Sequence, residues 1–416
     1  MNIFEISLLS FPLALVLISL AFMPLIAPKF WHKRESSIFS IIATISIILT
    51  FSFLDDSRDI LRHTIINDYI PFIIMLFTLY LLSHGIHIRI ESPAGTLPNA
   101  LFLGIASVFS SIIGTTGASM LFLGPFLKMN KCREKKAHLL IFFIFLVCNI
   151  GGLLTPLGDP PLFLGYLHGI NFSWFFKNLF FYWALYVFIC ISIMCFIDKI
   201  IIRKEKDIDH NKKVKLEVKG MFNIALIILA VFALFYLSNN LIKNFVLLTI
   251  CTISFFHLKR HEHKIDFSPF FEVARTFLTI FIVIAPVLFI LEKNSYHIHK
   301  YITNISENSD GSIIYFWLCS LASSFLDNAP SYLLFFNMAG GNAQELMFAS
   351  SGILKAISVS AVVMGAMTYI GNAPNMMVRS IAEKKGIKMP SFLGYMLWSC
   401  SIIIPISFLI SLMLRS

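Results

Sequence analysis

The sequence predicts an all-α polytopic membrane protein: about ten transmembrane helices plus two re-entrant hairpins, arranged as two inverted-topology repeats. Three observations carry this. Apolar runs near bilayer length recur from end to end, basic residues concentrate in alternate loops, and polar, Gly/Pro-interrupted segments match at one fixed offset. Of 416 residues, 57% are hydrophobic and 13% charged, about half the charged fraction of an ordinary soluble domain. Mean hydropathy is +0.80.

Ten runs approach the ~20 residues that a bilayer core requires: 4–26, 37–54, 69–86, 138–167, 174–198, 220–238, 241–257, 268–291, 353–378 and 391–413. The first lacks a basic leader and a clear cleavage site, so it reads as a retained helix that also targets the chain. Segments 98–127 and 312–337 are interrupted near their middles by Gly, Pro and polar residues. Each suits a hairpin that enters and leaves on one side, because irregular backbone at membrane depth must be lined by protein or water.

The net charge of +10 could indicate nucleic acid, but its distribution excludes that partner. Loops 28–36, 87–97, 128–137, 199–219, 258–267 and 379–389 hold 24 of the 33 Lys and Arg residues. By the positive-inside rule these loops face the cytoplasm and both termini lie outside, in a bacterial inner membrane. Both flanks of 98–127 are basic, so this segment must return to the side it left. The seven cysteines form no CxxC and read as small apolar residues, with no disulfide framework or metal site. No cofactor is implied.

The halves superpose by adding 213 to the residue number. SSIIGTTGASML (110–121) matches SSFLDNAPSYLL (323–334), and GLLTPLGDPP (152–161) matches GAMTYIGNAP (365–374). The first repeat is taken as 1–203, with hairpin 98–127 and broken helix 138–167. A basic linker, 204–219, leads to the second repeat, 220–416, with hairpin 312–337 and broken helix 353–378. An odd number of crossings between the copies inverts the second. Such paired interruptions mark the binding site of secondary transporters.

Four breaks converge: GTTG (114–117), PLGDPP (156–161), DNAP (327–330) and YIGNAPN (369–375). An interrupted helix offers N–H groups on one side and carbonyls on the other. Asp159 and Asp327 are the only carboxylates in the breaks, and a charge at this depth is costly enough to mark function. A carboxylate among oxygen ligands suits Na⁺ or Li⁺ and can bind H⁺ instead. Each Asp could alternatively cap the half-helix that follows it. Thr115, Thr116, Thr155 and Thr368 offer hydroxyl oxygens, and Asn328, Asn372 and Asn375 offer amides. Ser111, Ser119, Asn149 and Ser324 are secondary candidates. No nucleophile–base pair or metal-ligand cluster marks an enzyme.

The segments GTTGASMLFLGPFL, NIGGLLTPLGDPPLFLGYLHG, SSFLDNAPSYLLFFNMAGG and TYIGNAPNMMVRSIAEKKGIKMPSF resemble those of NhaD-type sodium/proton antiporters, in the citrate-transporter-like branch of the ion transporter superfamily. The resemblance covers nearly the whole chain. It implies two re-entrant hairpins and two broken helices around a central ion site, homodimers, and an elevator-like motion. The superfamily also holds divalent-anion/sodium symporters and arsenite-pump membrane subunits. The symporter branch typically carries Ser-Asn-Thr signatures in hairpins and broken helices, whereas this chain reads GTTG, DNAP, TPLGDPP and TYIGNAPN there. Two uncompensated acids would repel an anion. The expected activity is therefore Na⁺ (or Li⁺)/H⁺ antiport at Asp159 and Asp327. The alternatives are a Na⁺- or H⁺-coupled citrate or dicarboxylate symporter and an arsenite-type efflux subunit.

Overall fold

The computed structural model describes residues 3–91, 95–203, 215–237, 239–260, 267–305 and 311–414; most of the expected linker, 204–214, lies outside them. The chain is an all-α multi-pass membrane protein. Helices α1 (Ile3–Ile26) and α2 (Pro28–Phe53) precede α3 (Ser57–His63), which runs through a π-helical turn, Thr64–Tyr69, into α4 (Ile70–His84). Helices α5 (Thr96–Ile113) and α6 (Thr115–Met129) follow, then α7 (Ala137–Leu146), α8 (Pro160–Leu167) and the long α9 (Phe172–Ile202). The second half holds α10 (Met221–Tyr236), α11 (Asn240–Arg260), α12 (Ser268–Ile305), α13 (Ser312–Phe325), α14 (Asn328–Met338) and α15 (Ala343–Phe348). It closes with α16 (Ser351–Val363), α17 (Ala373–Lys384) and α18 (Phe392–Met413).

Eight helical segments among the described residues are long and apolar enough to cross a membrane. One of them is α5, the first arm of the 98–127 hairpin. Two of the ten expected crossings, 220–238 and 353–378, hold apolar helices shorter than a full span. The reason differs by element. Helix α10 has 16 residues, about 24 Å at 1.5 Å per residue, and α16 stops at its break. Outward faces are studded with exposed apolar side chains such as Phe188, Phe245 and Leu397, as a lipid-facing surface requires.

Both hairpins are closed by side chains at their open ends. Asn99, at the start of α5, and Asn130, just after α6, exchange amide hydrogen bonds of 3.0 and 2.8 Å. Tyr315 on α13 donates to the Met338 carbonyl at the end of α14, at 3.1 Å. The chain thus doubles back at Gly114 and at Leu326–Asp327. Helix α7 and the segment 150–154 lie at the centre, with every residue from Leu139 to Cys148 buried. Helix α16 packs beside them.

Two short strands accompany the helices. β1 (His87–Glu91) and β2 (Lys215–Lys219) form an antiparallel ribbon, with Arg89 opposite Glu217. The ribbon joins the 87–97 loop to the end of the basic linker, so both lie at one end of the bundle. At that end, buried Asp198 accepts from Thr96 at 2.7 Å and pairs with Arg133 at 2.7 Å and His138 at 2.9 Å. These bonds tie α5, the 128–137 loop, α7 and α9 together. At the opposite end, the Trp174 indole donates to the Met347 carbonyl at 3.3 Å, and Lys243 donates to the Tyr166 hydroxyl at 2.7 Å.

Candidate functional site

The four interruptions follow from local sequence. At the first hairpin tip, Gly114 has φ +81°, a conformation that strains any side chain. It lets α6 restart at Thr115, whose amide donates to the Gly158 carbonyl at 2.8 Å. The second tip uses two extended residues, Leu326 and Asp327. In the broken helices, Thr155 and Thr368 are extended, as are Asp159 and Asn372. Thr155 donates to the Ser111 carbonyl, and Thr368 donates to the Ser324 carbonyl at 2.7 Å. The same hydroxyls accept from Leu157 at 3.1 Å and Gly371 at 3.0 Å. Both threonines therefore lock hairpin to broken helix, in positions related by the offset of 213.

Glycine is needed where these elements cross. A Cβ at Gly158 would lie 2.2 Å from the Gly152 carbonyl oxygen, and one at Gly371 2.6 Å from that of Gly365. Nothing larger fits between the two strands of either break.

The centre of this assembly is the Asp159 carboxylate, 1% exposed. Thr115 donates to its Oδ1 at 2.8 Å and Asn328 to its Oδ2 at 2.7 Å, while the Asn372 amide reaches Oδ1 at 3.4 Å. One hydrogen-bond donor thus comes from each hairpin tip and one from the opposite broken helix. All three are neutral, and no Lys, Arg or His among the described residues pairs with Asp159. Asn372 also donates to the Cys148 carbonyl at 2.9 Å and to Asn149 Oδ1 at 3.3 Å. Asn149 in turn donates to Asn375 Oδ1 at 2.8 Å, and Asn375 donates to the Gly365 and Thr368 carbonyls at 2.8 and 2.9 Å.

The capping alternative separates the two acids. Asp327 caps α14 by accepting from the Ala329 amide at 3.2 Å, and it is only half-buried. Asp159 makes no side-chain cap bond. Prolines at 160 and 161 leave the first two positions of α8 without an N–H, so its carboxylate turns to the hairpins. In DNAP the proline falls one position later relative to the acid, at 330, and the amide at 329 is available. The expected equivalence of Asp159 and Asp327 as ion ligands does not extend to their surroundings.

The remaining candidates divide as well. Asn149, a secondary candidate, joins the two broken helices directly. Thr155 and Thr368 serve the backbone. Ser111 donates to the Gly151 carbonyl, Ser119 to the Thr115 carbonyl at 2.7 Å, and Ser324 to the Ser320 carbonyl at 2.7 Å. Thr116 is half-buried and away from the carboxylate's hydrogen bonds. Ser323 was missed: it donates to Asn328 Oδ1 at 3.0 Å, fixing which face of that amide meets Asp159.

A buried carboxylate held by two helical hairpins and two broken helices, in a bundle coated with apolar side chains, defines a multi-pass secondary transporter. A family profile described as "Putative citrate transport" matches residues 4–415, and the chain belongs to that family. No curated protein matches the sequence.

Proposed function

We propose that the protein exchanges Na⁺, or Li⁺, for H⁺ across a bacterial inner membrane, with Asp159 as the group over which the two cations compete. The observation that carries this reading is the chemistry around Asp159. It is a buried carboxylate with hydroxyl and amide neighbours and, among the described residues, no basic partner to neutralise it. An ionised carboxylate so placed needs a cation or a proton. The Thr115 hydroxyl adds one oxygen ligand for a hard cation, and rotation of the Asn372 amide adds another. Dehydrated Na⁺ and H⁺ cannot both occupy the same carboxylate, and mutual exclusion is the minimal requirement of an exchanger. Asp327 acts in this reading as a helix cap whose charge adds to the negative potential nearby.

Inverted repeats supply the alternating access. Threonine locks and glycine crossings recur at the 213-residue offset, and the two hairpin tips approach Asp159 from different halves of the chain. Closing either hairpin against its broken helix would shut one side of the site while the other opens.

A second reading, coupled symport of citrate or a dicarboxylate, is favoured by the family description. Asp159 would then hold only the coupling ion. Acid-loaded proteoliposomes separate the two. Antiport predicts that added Na⁺ or Li⁺ dissipates the pH gradient while citrate and succinate do not. Saturable Na⁺-dependent uptake of labelled citrate, without cation-for-proton exchange, would replace antiport with symport.

A further inference from the structure

Three buried hydroxyls lie just beyond the Asp159 site: Ser320 on α13, Tyr332 on α14 and Ser358 on α16, at 3%, 0% and 0% exposure. None closes a hydrogen bond with another protein group. They share one level of the fold. Helices α13 and α16 pack with a constant spacing of 38 residues, seen in Cys319 to the Ile357 carbonyl at 3.8 Å and Ser323 to the Ala361 carbonyl at 2.6 Å. The same spacing puts Ser320 and Ser358 at one level of the fold, and the Ser358 and Tyr332 hydroxyls are close enough to interact without meeting hydrogen-bond geometry.

Orphaned hydroxyls at this position are unexpected. A serine in a membrane helix ordinarily satisfies itself on a carbonyl one turn back, as Ser83, Ser107 and Ser110 do here. The first repeat shows the contrast. At the equivalent positions, Ser107 bonds to the Leu103 and Leu146 carbonyls, Ser119 bonds to the Thr115 carbonyl, and residue 145 is Phe. Under the offset the first half carries no unpaired hydroxyl at these positions, and the unpaired buried hydroxyl of Ser46 lies elsewhere, on α2.

Its location connects to the exchange site. Tyr332 follows Asn328 by one helical turn, and Asn328 holds Asp159 Oδ2. The Tyr332 hydroxyl lies against Gly165 of α8, where a Cβ would be 2.3 Å from the oxygen. One turn further along α14, Phe336 meets His168 at the end of α8, with ring centroids 5.8 Å apart. The Tyr332 hydroxyl thus sits on the α8–α14 seam, with Ser358 next to it, between Asp159 and the end of the bundle that holds Trp174 and Met347, the end expected to face outside.

We propose that Ser320, Tyr332 and Ser358 bind water beside the α8–α14 seam and form the outward proton route to Asp159. The inference rests on the proton-exchange reading given above. Each hydroxyl can accept one hydrogen bond while donating another, so a proton entering from outside is relayed with no net change in any relay group. Buried polar groups without protein partners are where ordered water resides.

Three measurements on the full-length protein test the route. Radiolytic hydroxyl-radical footprinting should modify Tyr332 despite its burial, while Tyr186, buried with its hydroxyl bonded to Ser407 at 2.7 Å, stays protected. In proteoliposomes, Tyr332→Phe and Ser358→Ala should each slow Na⁺-driven proton exchange by roughly tenfold and change its solvent isotope effect. Na⁺ affinity of the purified variants should stay at the wild-type value, and their thermal stability should stay near wild type, since no protein–protein hydrogen bond is removed. Exchange at wild-type rate in both variants, or protection of Tyr332 equal to that of Tyr186, would overturn the route. Asp159→Asn keeps the failures apart. If that variant is dead while Tyr332→Phe is unaffected, only the route falls; if it still exchanges, the antiport reading falls.

Discussion

Replacing each acid by its amide separates exchange from capping. Asn at 159 retains one carbonyl oxygen but places an NH₂ where the carboxylate accepted hydrogen bonds. Oδ1 faces Thr115 and Asn372, and Oδ2 faces Asn328. Either orientation of the new amide therefore sets donor against donor. A buried donor left unpaired costs about 1–3 kcal/mol, offset in part because a desolvated charge has also been removed. Folding should survive this, but a group that cannot titrate cannot exchange H⁺ for Na⁺. Asp327→Asn should differ. Asn caps helices about as well as Asp, so the bond to Ala329 persists and stability should change by no more than about 0.5 kcal/mol. The assay is pH-gradient dissipation by Na⁺ in proteoliposomes at matched protein content, with thermal unfolding in detergent as the control. Asp159→Asn should abolish exchange and Asp327→Asn should retain most of it. Wild-type exchange by Asp159→Asn would refute the assignment of Asp159. Equal loss in both variants would show that Asp327 is an ion ligand as well as a cap.

Three further outcomes follow from the geometry. Gly152→Ala would place a methyl 2.8 Å from Thr115 Cγ2 and 2.9 Å from Asp159 Cβ, so it should cost about 1–3 kcal/mol by overpacking and weaken Na⁺ binding, measurable by calorimetry on purified protein. Asp198→Asn removes the charge that Arg133 and His138 meet in a buried ion pair; thermal unfolding should show a loss of about 3–5 kcal/mol, and a variant as stable as wild type would show the pair to be dispensable. Cys132, exposed in the 128–137 loop, should react with a membrane-impermeant thiol reagent only from the cytoplasmic side, and labelling from outside would place the first hairpin across the membrane. It is a better reporter than an introduced cysteine at Asn130, which is buried in its pair with Asn99.

Much of this arrangement was legible in the sequence because membrane insertion restricts the backbone so severely. Interruptions at 114–117, 156–161, 327–330 and 369–375 had to be polar, and their common offset singled them out as the candidate site. The unequal roles of Asp159 and Asp327 were also encoded, in the step from DPP to DNAP, but reading them required asking which helix N–H groups the prolines remove. Asn149 gave a signal too, as a lone amide in an otherwise apolar run, yet its partners Asn372 and Asn375 lie more than 220 positions away. Long-range pairing hid the rest. β1 and β2 are separated by more than a hundred residues, and β2 looked like part of a charge run. Asp198, at the end of a span, carries no sequence sign that Arg133, His138 and Thr96 meet at its carboxylate. The orphaned hydroxyls of Ser320, Tyr332 and Ser358 could not be told from self-satisfied ones, since only packing decides whether a carbonyl is within reach.

Competition at a single carboxylate makes one direct demand on the purified protein: binding Na⁺ must expel a proton. Titrating NaCl into weakly buffered, detergent-solubilised protein, with a pH dye and a choline chloride control, measures this without vesicles or a transport assay. At a pH where Asp159 is partly protonated, Na⁺ and Li⁺ should release protons saturably, the apparent Na⁺ affinity should fall as pH falls, and Asp159→Asn should release none. Saturable Na⁺ binding with no proton release across the accessible pH range would contradict exchange at Asp159.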